Sequence, residues 1–225
     1  MATTEQKDLL EIRQFMYSFL SAVFLYPPQA EQLTMILQRQ LFKEFPLDIA
    51  DEQYQEALAN LVRWTNENYA SDLVNVTSSL NKDYTALFIG PGHLAAPPWE
   101  SVYRTEERLT FGEPTLEVRE WYQRCGLEFV HKNSEPDDHF GLELEFMSKL
   151  INNELEAWEE DDVLKAEGLA REQPAFLDEH LLRWAKEFTQ DVQASAQTLY
   201  YQGLAQLAYS YLIWDSKQLR DGKNT

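Results

Sequence analysis

Apolar residues recur at steps of three and four along nearly the whole chain, and the every-second-residue alternation of a half-buried strand is almost absent. Leu9, Ile12, Met16, Phe19 and Val23 predict an amphipathic first helix, which Pro27-Pro28 ends. Leu33, Ile36, Leu37 and Leu41 predict a second helix, stopped before Pro46, and Tyr54, Leu58, Leu61, Val62 and Tyr69 a third. A fourth starts near Leu73 and carries Leu80, Tyr84, Leu87 and Phe88 up to Gly90-Pro91-Gly92, a helix-terminating sequence. Pro114 suits a first helical turn and Gly126 the left-handed position past a helix end, which predicts a helix between them. Phe140, Leu144, Met147, Ile151, Leu155 and Trp158 predict a long helix opening near 134–138. Two more fit 176–192 and 199–219, the last with Tyr200, Leu204, Leu207, Tyr211 and Trp214 on one face. The expectation is an all-α, single-domain helical bundle over residues 1–225.

Between 90 and 112 the pattern changes. GPGHLAAPPWESVYRTEERLTF holds Pro91, Pro97 and Pro98 and no sustained helical stripe. A structureless connection of this length inside a compact domain is functional or disordered. Trp99, Tyr103 and Phe111 point to order.

The chain has 225 residues, 44% hydrophobic and 13% aromatic, enough to bury a full core and unlike a disordered acidic tail. Its formal charge of −19, from 19 Lys+Arg against 38 Asp+Glu, disfavours nucleic acid and anionic membrane surfaces as partners. A basic peptide would instead be drawn in by long-range steering. Cys125 is the only cysteine, so no intrachain disulfide can form; beside Gly126 near a helix end, it reads as a bystander. The apolar run 15–26 is too short to span a bilayer, and the acidic residues before it are unlike a secretory leader. The reading is cytoplasmic, with no stable membrane insertion.

Three features could carry chemistry. In Ala96-Pro97-Pro98-Trp99-Glu100 the paired prolines stiffen the backbone, so Trp99 is presented as an anchor and Glu100 to a guanidinium. The plainer alternative is that Trp99 packs into the bundle while Glu100 caps the next helix. In Glu135-Pro136-Asp137-Asp138-His139, the acids and Pro136 fit the first turn of a helix, with Ser134 or Glu135 as its cap. Facing a groove, Asp138 and His139 would instead offer an acceptor and a titratable donor to a basic ligand. The third feature is charge density: over 135–162 eleven acids face one cation, Lys149, a candidate landing surface for cations or a plain solvated face. A metal-dependent hydrolase using Asp137, Asp138 and His139 is the alternative from another class. The Glu-x-x-His spacing of a di-metal bundle occurs only at Glu128–His131. Gly90-Pro91-Gly92 lacks the Lys-Ser/Thr of a phosphate loop.

YTALFIGP at 84–91, PPWES at 97–101, Phe111-Gly112 and EPDDH at 135–139 together resemble the TorD/DmsD family, closest to the DmsD branch. The match covers about 80–150. The resemblance implies a helical cytoplasmic chaperone, without catalysis or cofactor, dedicated to a molybdoenzyme of the dimethyl sulfoxide reductase type. It implies binding of the client's twin-arginine signal peptide and retention of the enzyme until the molybdenum cofactor is inserted. The family's binding positions fall on Tyr84, Leu87, Phe88, Pro98, Trp99, Glu100, Asp138 and His139. The client's folded body is a second partner, and the chaperone is a monomer or an element-exchanged dimer. Family members often carry an aromatic residue after the Gly-Pro, where this chain has Gly92. Guanine-nucleotide binding, attributed to some members, has no motif here.

Overall fold

The computed structural model describes residues 3–91, 94–127 and 135–221, with the Asp221 side chain excluded. Among these residues the structure is helical, with no strand and only isolated bridge positions at Trp99, Glu135 and His139, so the all-α expectation holds. The helices are α1 (Thr4–Leu25), α2 (Ala30–Gln38), α3 (Glu52–Asn68), α4 (Leu73–Tyr84) and α5 (Glu100–Arg104). Then follow α6 (Glu113–Arg124), α7 (Phe140–Glu159), α8 (Val163–Phe176), α9 (Leu182–Ser195) and α10 (Leu199–Asp221). A 3₁₀ turn spans Leu41–Lys43, and π-helical turns span Thr85–Ile89 and Leu177–Leu181. No described helix is long and apolar enough to cross a membrane.

Contacts divide the chain into two compact units of interleaved sequence. The first holds Met1–Leu25, Pro98–Ala185 and Asp215–Thr225; the second holds Tyr26–Pro97 and Lys186–Trp214. In the first unit α1 lies along α7, α7 along α8, and α5 along α6. Gly141 sets the α1–α7 approach, because a Cβ there would stand 2.7 Å from the Cβ of Leu25. In the second unit α2 packs on α3 and α4. Its core is aromatic: Trp64 lies 4.8 Å from Tyr200 between ring centroids, and Tyr200 lies 5.2 Å edge-on to Tyr201.

The first helix is rotated from its expected phase. Of the expected stripe only Met16 is buried, and Leu9 is 36% exposed. The residues that face inward are Leu10, Arg13, Tyr17, Leu20 and Phe24, the same spacing displaced by one position. Arg13 explains the shift. Its Nε and Nη2 meet the two carboxylate oxygens of buried Asp215, and the Tyr17 hydroxyl donates to Oδ2 at 2.8 Å.

The other differences are local. The connection 90–112 contains α5, too short to write a periodic stripe. Beyond it Arg108 and Phe111 hold left-handed backbone at φ 51° and 64°, a conformation that costs a non-glycine residue of order 1 kcal/mol. The helix expected to begin at 176 is preceded by α8, which Asp162 caps by accepting the Lys165 N–H and which passes through Pro174. Proline has no N–H to give, and the π turn follows directly. The expected α7 start is also too early: its N-cap is His139, and Pro136 to Asp138 form a turn ahead of it. Glu128–His131 and Ser134, with Gly92, lie outside the described residues.

Candidate functional site

Two of the sequence features meet. Trp99 and His139 form an antiparallel bridge, with the Glu100 N–H donating to the Asp138 carbonyl at 3.0 Å and the Phe140 N–H to the Pro98 carbonyl at 2.8 Å. The proline-stiffened turn and the acid–imidazole pair, forty positions apart, are thus one backbone assembly in the first unit. The Trp99 ring stands edge-on to His139 at 6.2 Å.

Each acidic side chain there serves a neighbouring element. Asp138 is fully buried; Oδ2 accepts the Ser101 N–H at 2.8 Å, and Oδ1 accepts the Thr115 hydroxyl at 2.8 Å. It therefore caps α5 from outside and ties α5 to α6. Asp137 accepts from Arg119 Nε and Nη2 at 2.9 and 2.6 Å, and the Tyr122 hydroxyl donates to its carbonyl. His139 Nδ1 accepts the Gly141 N–H at 3.0 Å, opening α7. Burial lowers the His139 pKa to about 3, so the ring is held neutral.

Glu100 also meets a guanidinium, but one of this chain. Its Oε1 lies 2.7 Å from Arg104 Nη1, one turn along α5, and Oε2 lies 2.9 Å from His180 Nδ1. Burial pulls the Arg104 pKa down; the hydrogen bond and charge of Glu100, with Glu117 and Glu143, more than reverse this, so it is raised. Glu143 is fully buried, accepts from the Trp184 indole N–H at 3.3 Å and leaves Oε1 without a hydrogen bond. Desolvation, then the charges of Glu100 and Asp138, push its pKa well above the usual carboxylate range. Glu154 is buried as well, accepting from Trp158 and Gln173. Four acids of the dense stretch, Asp137, Asp138, Glu143 and Glu154, thus face inward, which corrects the picture of one continuous acidic surface.

The remaining predicted residues belong to the second unit. Tyr84, Leu87 and Phe88, at the end of α4 and in the following π turn, are all buried. Tyr84 and Phe88 stack edge-on at 5.1 Å, and Phe88 lies 6.1 Å from Phe188 and 5.9 Å from Tyr201. The Ala96 N–H donates to the Leu87 carbonyl at 3.1 Å, tying the connection back onto the turn. Of the eight predicted site residues, only Trp99 is half-exposed. Sequence reading missed Thr115, Arg119 and His180; only Arg104, four residues after Glu100, carried a spacing that could have shown its role.

Asp137, Asp138 and His139 are engaged separately, and among the described residues no three His, Cys, Asp or Glu side chains are grouped to hold a metal ion.

An all-helical fold with this motif assembly defines a known class. The chain belongs to the nitrate reductase delta subunit family, whose model matches residues 48–190, a span that includes every predicted site residue. Two relatives locate it further. It is 32% identical to the Tat proofreading chaperone DmsD of Salmonella typhi over 193 residues, which is 84% of this chain and 81% of the relative. It is 30% identical to the chaperone protein TorD of Vibrio vulnificus (strain YJ016) over 154 residues, 68% and 69% of the two chains. A solved structure assigned as a redox enzyme maturation protein from Archaeoglobus fulgidus aligns over 88% of this chain and 93% of its own. Its TM-score is 0.52 and its identity 20%, which shows a shared fold. The TorD/DmsD resemblance is therefore membership.

Proposed function

We propose that this chain is a cytoplasmic chaperone that binds the twin-arginine signal peptide of a dimethyl sulfoxide reductase-type molybdoenzyme. It holds the enzyme from export until folding and molybdenum cofactor insertion are complete. The observation that carries the reading is 32% identity to a Tat proofreading chaperone over 84% of the chain. Charge supports it: a protein at −19 attracts a segment whose first feature is two guanidiniums. In this reading Trp99 contacts the peptide, while Pro98, Glu100, Asp138 and His139 position it from beneath. Tyr84, Leu87 and Phe88 shape the apolar wall of the second unit. The folded body of the client is a further partner, and the chaperone works as a monomer or an element-exchanged dimer.

Calorimetric titration with a peptide carrying the Arg-Arg signal tests this. Binding is expected at micromolar to sub-micromolar Kd, about −8 to −10 kcal/mol. Replacing both Arg by Lys should weaken it at least tenfold, since an ammonium cannot make a bidentate carboxylate contact. Trp99→Ala should weaken binding while the helical circular dichroism persists. Equal affinity for the Arg and Lys peptides would overturn the reading.

A further inference from the structure

The cavity of about 570 Å³ beside His180, in the first unit, is lined by three Glu and three Arg and so carries no excess of either charge. The segment between α5 and α6 differs. It turns large apolar side chains to solvent: Leu109 is 65% exposed, Phe111 69% and Leu116 56%. Gly112 is the N-cap of α6, so Phe111 precedes the cap and Leu116 is the fourth residue of the helix. Side chains at those two positions ordinarily close on each other as a hydrophobic staple. With this much of both left open, the pair presents its apolar surface outward instead.

The segment is held in this arrangement. Arg108 and Phe111 adopt left-handed backbone at φ 51° and 64°, which a non-glycine residue leaves unless neighbouring contacts fix it. Those contacts come from the α5 side. The Arg108 N–H donates to the Thr105 carbonyl at 3.3 Å, and its guanidinium lies 5.6 Å from the centroid of the Tyr103 ring. Gly112 fits tightly there as well, since a Cβ would stand 3.3 Å from both Ser101 Cβ and Thr105 Cγ2. The apolar segment is thus fixed to α5, whose N-cap is Trp99, the half-exposed member of the predicted site.

Charge selects the occupant. Glu106, Glu107 and Glu113 are exposed and have no ion-pair partner among the described residues. The cations of the same stretch are occupied: Arg104 by Glu100 at 2.7 Å, Arg108 by the Tyr103 ring, and Arg119 by Asp137 at 2.6 Å. Apolar side chains rimmed by free carboxylates fit a segment that is apolar and cationic at once. A second copy of this chain, at −19 and with the same carboxylates in the same place, would meet like charge there.

We propose that the surface formed by Leu109, Phe111 and Leu116 receives the apolar run that follows the two arginines of the client's signal segment. Glu106, Glu107 and Glu113 attract the cationic end of that segment. This rests on the signal-peptide reading above and extends the peptide's path from Trp99 to residues outside the predicted binding positions.

Two synthetic probes are titrated calorimetrically into the full chain: a long peptide with Arg-Arg followed by a run of Leu and Ala, and a short one that stops after Arg-Arg. Both substituted side chains are exposed, so Phe111→Ser/Leu116→Ser should keep the helical circular dichroism. The double variant should bind the long peptide at least tenfold more weakly, since burial of even one such side chain corresponds to about a factor of ten. It should bind the short peptide as wild type does. If wild type binds the long peptide with Arg preference and the double variant binds it equally well, the surface proposal is overturned, leaving the surface to the client's folded body, and the chaperone reading stands. An equal loss for both peptides places the effect on the arginines and overturns the proposal too. A wild type that does not prefer Arg-Arg over Lys-Lys sinks the chaperone reading, and this proposal with it. Independently of any variant, the ¹H–¹³C NMR signals of the Leu109 and Leu116 methyls should shift saturably with the long peptide and stay in place with the short one. Methyls unmoved by the long peptide overturn the proposal. Sedimentation tests the other occupant: a wild-type dimer that the double variant dissolves assigns the surface to a second copy and overturns the peptide assignment.

Discussion

The two units both bury stacked rings but differ in how much charge they bury with them. The first packs Phe24, Phe140, Trp184, Phe146 and Phe176 around ionic groups: Arg13 with Asp215, Glu100 between Arg104 and His180, and Asp138 bridging α5 and α6. In the second, the centre is a run of rings from Trp64 through Tyr200 and Tyr201 to Tyr84 and Phe88. Its one buried acid, Asp83, is spent on backbone, accepting the Gln197 and Thr198 N–H groups and the Thr198 hydroxyl at the head of α10. Rings tolerate small displacement, because apolar contact is non-directional. Charged pairs do not, because a misplaced partner leaves an unsolvated charge. The first unit therefore holds its side chains in the more exacting geometry, and it contains Trp99 and the cavity beside His180.

The largest expected effect breaks the ionic centre. Asp215→Ala strands the Arg13 guanidinium in a 3%-exposed position and should cost about 3–5 kcal/mol in urea unfolding. Amide exchange should quicken in α1 and α7 well before α3 and α4. A loss confined to a few tenths of a kcal/mol would mean that the unit is held by its apolar contacts instead. Asp83→Ala sharpens the other side: losing a cap in an aromatic unit should cost about 1–3 kcal/mol. The exchange should localise to the Gln197 and Thr198 amides, whereas faster exchange throughout α3 would contradict a purely local role.

The smallest effect is a pH dependence. Burial holds the His139 pKa at about 3, whereas the unfolded chain titrates it near 6.5. Below pH 6.5 the unfolded state takes up a proton that the folded state refuses. Its contribution is thus complete above pH 6.5 and falls as pH drops toward 3, by at most about 1.4 kcal/mol per pH unit. Glu143 acts oppositely: its raised pKa lets the folded state keep a proton above pH 4.5, so its contribution declines as pH rises. Comparing wild type with His139→Asn, which retains an acceptor for the Gly141 N–H, isolates the imidazole. The loss between pH 6.5 and 5 should shrink by about 1–2 kcal/mol. Parallel curves would show that the folded ring accepts a proton freely.

Much of this was legible in the sequence, with instructive exceptions. The step of three and four marked α1, yet its phase was off by one, because Arg13 reads as a surface residue until Asp215, 202 positions away, is known to receive it. The acids at 137 and 138 were recognised as helix-start residues, but Asp138 caps α5 rather than the helix that follows it. The helix α8 escaped notice because its buried set, Ala166, Gln173, Pro174 and Phe176, is half polar or helix-breaking. Nothing local in the sequence places Trp99 beside His139 or turns Asp138 and His139 inward.

By itself the sequence determined the helical class, most element positions and the family, because apolar spacing, caps and ordered motifs are local properties that any fold of this chain must respect. Tertiary structure alone decided which charges are buried and whom they serve. A carboxylate looks the same in the sequence whether it faces water, a distant guanidinium or the N–H groups of another helix, and only burial separates the three.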